Sequence, residues 1–344
     1  MSKNTIYTIA NELNMTPSMV SRALNPNGKV REDKRRLVLE AAKKYNFVPN
    51  AFASRLSMKT IRIGIVLKSK FDVNSSKMIN GIELAYSELK DYKIEYDITV
   101  IDASERAEEN CRKALKKYEN YDGVIVTGMS SAAYEGMLND FCEKNPNLVQ
   151  VQAVNPNVNN LFASKHNEET ASNLAVDFLY QCLKREKRKN VILFTGDISS
   201  SLHCSARQAF LKACDNVGLN VLDAIDMNDD SEYFESILPG IFEKYADITD
   251  GIYITSGLSV PLCDYIKKNN LDITLVTFDT YNEIREYLKE GIISATISQD
   301  VAGQMRRAFS TLVMYKVLSI QPEKEIYTDV SLILKSNSYQ PDFG

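Results

Sequence analysis

Nine short runs rich in Val, Ile and Leu recur between residues 61 and 298 of this 344-residue chain, separated by helix-length amphipathic stretches. They fall at 61–67, 94–101, 123–127, 149–154, 191–195, 221–227, 251–255, 273–278 and 293–298. A continuous apolar run, unlike a strictly alternating one, suits a strand covered on both faces, as in a parallel sheet. Parallel neighbours also need a long crossover, which the intervening helical stretches supply. So many strand–helix units exceed one compact sheet. The pattern predicts an α/β core of two doubly wound parallel-sheet lobes.

The length leaves room for a small module beside that core. Residues 1–60 hold eleven Lys/Arg against four acids, a net of +7 in a chain whose net charge is −4. A basic module on an acidic body suits a polyanionic partner for the module alone. Thr5 can cap a helix running to Leu13, with Ile6, Ile9, Ala10 and Leu13 on one face. Asn14 tolerates the left-handed backbone of a tight turn. Thr16 then reads as an N-cap with Pro17 at the first helical position, opening a second helix to about Asn25. Val20, Ala23 and Leu24 face inward, while Pro17, Ser18, Ser21 and Arg22 line the outer side. A third helix, from about Glu32 to Tyr45, buries Leu37, Val38, Ala41 and Tyr45. This predicts an all-α helix-turn-helix headpiece whose second helix can enter a major groove.

Between headpiece and body lie residues 50–58, preceded by Pro49, which reads as a helix start. They offer about two turns, too few for a helix to persist alone in water. Phe52 and Leu56 are four apart and share a face. Such a helix forms only when something holds it, which suits a coupling element.

The segments from Thr5 to Ala10 (TIYTIA), Met15 to Asn25 (MTPSMVSRALN) and Tyr45 to Ala53 (YNFVPNAFA) closely resemble the headpiece of the LacI/GalR family of bacterial transcriptional regulators. The resemblance implies a helix-turn-helix domain over 1–48, a hinge helix over 49–59 and a periplasmic-binding-protein-like core over 60–344. It places Pro17, Ser18 and Arg22 at base-reading positions and Ser21 and Asn25 at phosphate-contacting ones. Thr5, Thr16, Asn50 and Ala53 complete the expected DNA-contacting set. Leu56 falls where the family carries a leucine wedge for the minor groove. Asn14 departs from the family's usual glycine, and Pro17 has no side-chain donor, so it can read bases only through apolar contact. The family's chain crosses between lobes three times, here expected near 158–165, 286–294 and 321–327. The first lobe would then hold about 60–160 and 290–322, and the second about 163–288 and 325–344.

Ligands of open α/β sheets bind beyond the carboxyl ends of strands. The run 273–278 ends at Asp279, where a carboxylate can accept hydroxyl hydrogen bonds from a polyol. The resemblance implies an effector-binding aspartate there, and the plainer role of capping a helix over 280–288 stays open. By the same resemblance Gln299 lies at the hinge within reach of ligand. Asn167 opens the first helix of the second lobe, with His166 in place of the family's usual aspartate. Phe71 can supply an aromatic wall. Arg207, one position out of register with a sugar-binding arginine, completes the expected effector set.

The chain lacks a phosphate-binding Gly-rich loop and a nucleophile elbow, so neither an enzyme nor a cofactor is expected. Its six cysteines, with no CxxC pair, read as free thiols of a reducing cytoplasm. The histidines His166 and His203 suggest no metal site. No apolar run approaches a membrane span. The expectation is a homodimeric repressor of a carbohydrate-related operon, binding a pseudo-palindromic double-stranded DNA operator and a sugar or sugar derivative. A catabolite-control-type regulator with a phosphoprotein corepressor, or a solute-binding sensor, are the alternatives.

Overall fold

The computed structural model describes residues 6–24, 30–44, 59–69, 72–102 and 106–339. Helices α1 (Ile6–Glu12), α2 (Pro17–Leu24) and α3 (Glu32–Lys44) form the N-terminal module. Asn14, at φ 49°, turns the chain so that the Met15 N–H reaches back to the Ala10 carbonyl at 2.9 Å. The Thr16 hydroxyl accepts from the Met19 N–H at 3.3 Å, so Thr16 caps α2 as its sequence suggests. Ile9, Val20 and Val38 are fully enclosed among Ala10, Ala23, Ala41 and Ala42. Leu37 is not part of this core: it is 45% exposed. One residue before Val38, it lies about 100° round the helix from the buried stripe.

The body begins with β1 (Ile61–Ser69), α4 (Asp72–Glu88), β2 (Ile94–Asp102), α5 (Ala107–Tyr118), β3 (Gly123–Thr127), α6 (Ala132–Lys144), β4 (Leu148–Val151) and β5 (Phe162–His166). The chain then builds a second lobe from α7 (Glu168–Leu183), β6 (Asn190–Thr195), α8 (Ser201–Val217), β7 (Asn220–Asp226), α9 (Ser231–Tyr245), β8 (Gly251–Ile254), α10 (Ser259–Lys268), β9 (Thr274–Phe278), α11 (Asn282–Glu290) and β10 (Ala295–Ser298). It returns to the first lobe with α12 (Val301–Leu318) and β11 (Glu325–Thr328), and finishes in the second with β12 (Ser331–Ile333). The sheet orders are β11-β5-β4-β3-β1-β2 and β12-β10-β9-β8-β6-β7. Every pairing is parallel except the antiparallel β10–β12.

Helices cover both faces of each sheet, which is why the strands read as unbroken apolar runs. In β1, Ile61, Ile63, Ile65 and Leu67 pack under α4 and α12, while Val66 faces α5 and α6. Gly64 is required on that second face, because a Cβ there would lie 2.3 Å from the Tyr118 ring. In the second lobe α9, α10 and α11 cover one face, and α7 and α8 the other.

The points where the chain changes sheet differ from expectation. They fall after His166, after Ser298 and after Thr328, each later than the expected crossings. Residues 295–298 therefore belong to the second sheet and 325–328 to the first, the reverse of the expected lobe boundaries. The first of these shifts arises because β5, Phe-Ala-Ser-Lys-His, lacks the Val/Ile signature and reads as a connector.

Candidate effector cleft and nucleic-acid interface

On the headpiece, Pro17 is half-buried at the start of α2, and Ser18 and Arg22 are exposed one turn apart. The Arg22 Nε–H donates to the Ser18 carbonyl at 3.4 Å, leaving the guanidinium at the module's surface. Ser21 lies on the same helix, and Thr16 spends its hydroxyl on the cap. Thr5, Asn25, Asn50, Ala53, Leu56 and Phe71 lie outside the described residues.

The carboxyl ends of the strands of both sheets converge between the lobes. Asp279 follows β9 with φ 70°, in the left-handed region that is unusual for a residue with a side chain. It does not cap the next helix, whose N-cap is Tyr281. The neighbouring strand pins the turn: the Asp279 N–H donates to the Ile297 carbonyl (2.8 Å) and its own carbonyl accepts from the Thr296 hydroxyl (2.7 Å). The carboxyl Oδ1 accepts from Gln299 Nε2 at 2.5 Å. Burial raises this carboxyl above its ordinary range, opposed by the Gln299 hydrogen bond and by the nearby Lys77 and His203.

Gln299 follows β10, and Gln304, in the first turn of α12, donates to its backbone carbonyl at 2.7 Å. Gln152 donates toward the Gln299 side-chain oxygen at 3.4 Å from the first lobe. His166 ends β5, is 2% exposed, and is hydrogen-bonded to the Gln299 side chain. Burial, with the charge of Lys165, pushes its ring down to about 4, so it is neutral near pH 7. Asn167 caps α7, its side-chain oxygen accepting from the Thr170 N–H at 2.9 Å. Arg207 is half-buried on α8 and has no ion-pair partner among the described residues. The structure thus joins Asp279, Gln299 and His166 in one network and leaves Asn167 and Arg207 outside it.

Two features of the cleft left no signal in the linear sequence. Lys77, from α4 of the first lobe, donates to the carbonyl and hydroxyl oxygens of Thr280 in the second. Two more contacts cross beside it, Ser130 Oγ to Ser200 Oγ at 3.1 Å and the Ser201 hydroxyl to the Val154 carbonyl. On the second-lobe rim, His203 Nε2 lies 3.4 Å from the Asp229 carboxylate, which also accepts from the Ser256 hydroxyl at 2.8 Å and the Asp197 N–H at 3.2 Å. Burial alone would raise the Asp229 carboxyl, but these donors and the neighbouring imidazole outweigh it and hold the group well below its usual range. The pair's members are 26 positions apart on α8 and after β7, so only the fold brings them together. Among the described residues no group of His, Cys, Asp and Glu could hold a metal ion, and no helix is long and apolar enough to cross a membrane.

Two family models match the chain: "Bacterial regulatory proteins, lacI family" over residues 5–50 and "Periplasmic binding protein domain" over residues 63–317. Among relatives, catabolite control protein A of Priestia megaterium is 26% identical over 68% of each chain. The protein of the same name from Staphylococcus xylosus is 36% identical over 80 residues, 23% of this chain and 24% of that relative. Among solved structures, a glucose-galactose binding protein from Geobacillus stearothermophilus superposes with a TM-score of 0.71 at 19% identity, over 81% of this chain and 99% of that one. A LacI transcriptional regulator, so described, from Bacteroides fragilis gives 0.69 at 18% identity, over 81% and 98%.

Proposed function

The chain belongs to the periplasmic binding protein domain family and carries a lacI-family DNA-binding headpiece, and from that premise we propose that it is a homodimeric transcriptional regulator of carbohydrate-related genes, acting as a repressor under control of a sugar or sugar derivative. The observation that carries this reading is the joining of the two modules in one chain: a helix-turn-helix over α1–α3 and a two-lobed body with a polar cleft. A solute-binding protein needs only the second of these. The relatives named catabolite control protein A support a carbon-related role.

In this reading Pro17, Ser18 and Arg22 meet base edges of each half-site of a pseudo-palindrome, Ser21 and Asn25 meet phosphates, and Leu56 enters the minor groove between paired hinge segments. The effector lies between the lobes, with hydroxyls on Asp279 and Gln299 and further contacts from Asn167, Arg207 and Phe71. His166 acts one step back, through the hydrogen bond that orients Gln299. A ligand shifts the dimer between DNA-competent and incompetent states only if it binds them unequally, and lobe closure supplies that inequality.

The test is fluorescence anisotropy with the full-length protein on DNA from its own promoter region. Phosphate neutralisation by the basic headpiece releases counterions, so affinity should fall by about 10³-fold or more between 50 and 200 mM salt. Equal affinity for promoter and random DNA, or an affinity indifferent to salt, sinks the reading.

A further inference from the structure

Buried polar atoms are rarely left without a hydrogen bond, because desolvation is then uncompensated. Of the buried polar atoms without a partner among the described residues, three sit on the three segments that pass between the lobes: His166 Nδ1, Gln304 Oε1 and Thr328 Oγ1. The residues are 2%, 0% and 6% exposed. His166 is the last residue of β5 and Thr328 the last of β11, and they stand opposite each other in the parallel register. Gln304 begins α12, directly after the chain leaves β10.

Further bonds bring Gln304 to the same point. Its backbone carbonyl accepts from the Ser164 hydroxyl at 2.9 Å, and Ser164 shares a face of β5 with His166. Its Nε2 lies 3.3 Å from the Gln299 side-chain oxygen, and Gln299 is also bonded to His166. Because Nδ1 of His166 is the unpartnered nitrogen, that bond to Gln299 uses Nε2. The Gln299 contact favours the protonated ring, so we assign His166 as its donor and the proton of the neutral ring to Nε2, which leaves Nδ1 as a bare acceptor. Gln304 Oε1 is an acceptor as well, while the Thr328 hydroxyl has a proton to give. The three atoms together lack two donors and one acceptor.

We propose that one ordered water molecule binds here, donating to His166 Nδ1 and Gln304 Oε1 and accepting from the Thr328 hydroxyl, and that it pins the three interlobe segments to one another. Two protons and one lone pair match the deficit, and three hydrogen bonds are usual for a buried water. Gln299 bonds to His166, Gln304 and Asp279, so the water belongs to the network that ends at the cleft carboxylate.

The sign of one substitution tests this. Thr328→Val keeps the shape and removes the hydroxyl. If the hydroxyl serves a bound water, the Tm of the full-length protein falls, by about 2–5 °C. If the hydroxyl has no partner at all, its removal relieves an uncompensated burial, and an unchanged or raised Tm overturns the proposal. Thr328→Ser, which keeps the donor, should lose less than Thr328→Val; equal losses would point to packing and overturn it too. Independently, a crystal structure at about 1.5 Å should show a density peak about 2.7–3.2 Å from all three atoms. Direct bonds among the three side chains, or no peak, would overturn it.

Discussion

Asp279 holds a backbone conformation that costs a residue with a side chain on the order of 1 kcal/mol or more, and the ladder bonds from Ile297 and Thr296 keep it there. Its carboxyl serves no helix cap, so its placement is free to meet a ligand. Asp279→Ala should abolish effector release of the operator complex while leaving operator affinity within about two-fold, since additivity of distant sites applies. Titrating the sugar that dissociates the wild-type complex into the mutant complex checks this; an undiminished response would remove Asp279 from the site. His166 gives a second prediction. Its ring titrates at about 4 when folded, against 6.5 ordinarily. As pH falls from about 6.5 to about 4 the unfolded chain therefore binds more protons, and stability declines through that window before levelling off. For so buried a ring the loss is on the order of 3 kcal/mol. Asp279 works in the opposite direction, because a raised carboxyl is protonated more readily in the folded state. His166→Gln should flatten the dependence of Tm on pH between 6.5 and 4, and a slope equal to wild type would clear His166. At this scale Asp279 was legible, since a carboxylate directly after an apolar run announces a strand end. The His203–Asp229 pair was not, because tertiary packing alone makes them neighbours.

Elements succeeded or failed to show themselves according to how fully they are covered. Interior strands such as β1, β3, β6 and β8 are enclosed on both faces and carry the Val/Ile runs that such enclosure demands. The edge strand β11 is short and partly exposed, with Glu325 and Tyr327 facing solvent, so no apolar run marks it. The headpiece was readable to within a residue or two because caps and turns are chemical signals: Asn14 at φ 49° and the Thr16–Met19 bond fall where the sequence puts them. Among the described residues the inward stripe of α3 was misjudged at Leu37, and Tyr45 lies outside them. Packing beneath the strands is tight enough to predict from. Gly64 lies in the interior strand β1, and a methyl there would strike the fully buried Tyr118 ring at 2.3 Å. Tyr118 cannot swing aside freely, since its hydroxyl is 2.7 Å from the Thr99 hydroxyl. Gly64→Ala should cost about 1–3 kcal/mol in urea unfolding. A loss below about 0.5 kcal/mol would mean that the α5 face accommodates the methyl without strain.

At the scale of the whole molecule, the lobes are joined by three covalent passages and by contacts across the cleft from Lys77, Ser130 and Ser201. Each contact couples residues of different lobes, so displacement at Thr280 is felt on α4 of the other lobe. The threading also bears on how a newly made chain acquires its structure. The face of the first sheet formed by Ile63, Ile65 and Leu67 is covered by Val301, Met305, Phe309 and Leu312 of α12. Those residues leave the ribosome roughly 140 positions after β5, a delay on the order of ten to thirty seconds at bacterial elongation rates. Through that interval the second lobe, which lacks only the edge strand β12, can assemble while the older half waits with an apolar surface bare. The half that emerges first is thus the half completed last, and the nascent protein's need for chaperone shelter is concentrated on its N-terminal lobe.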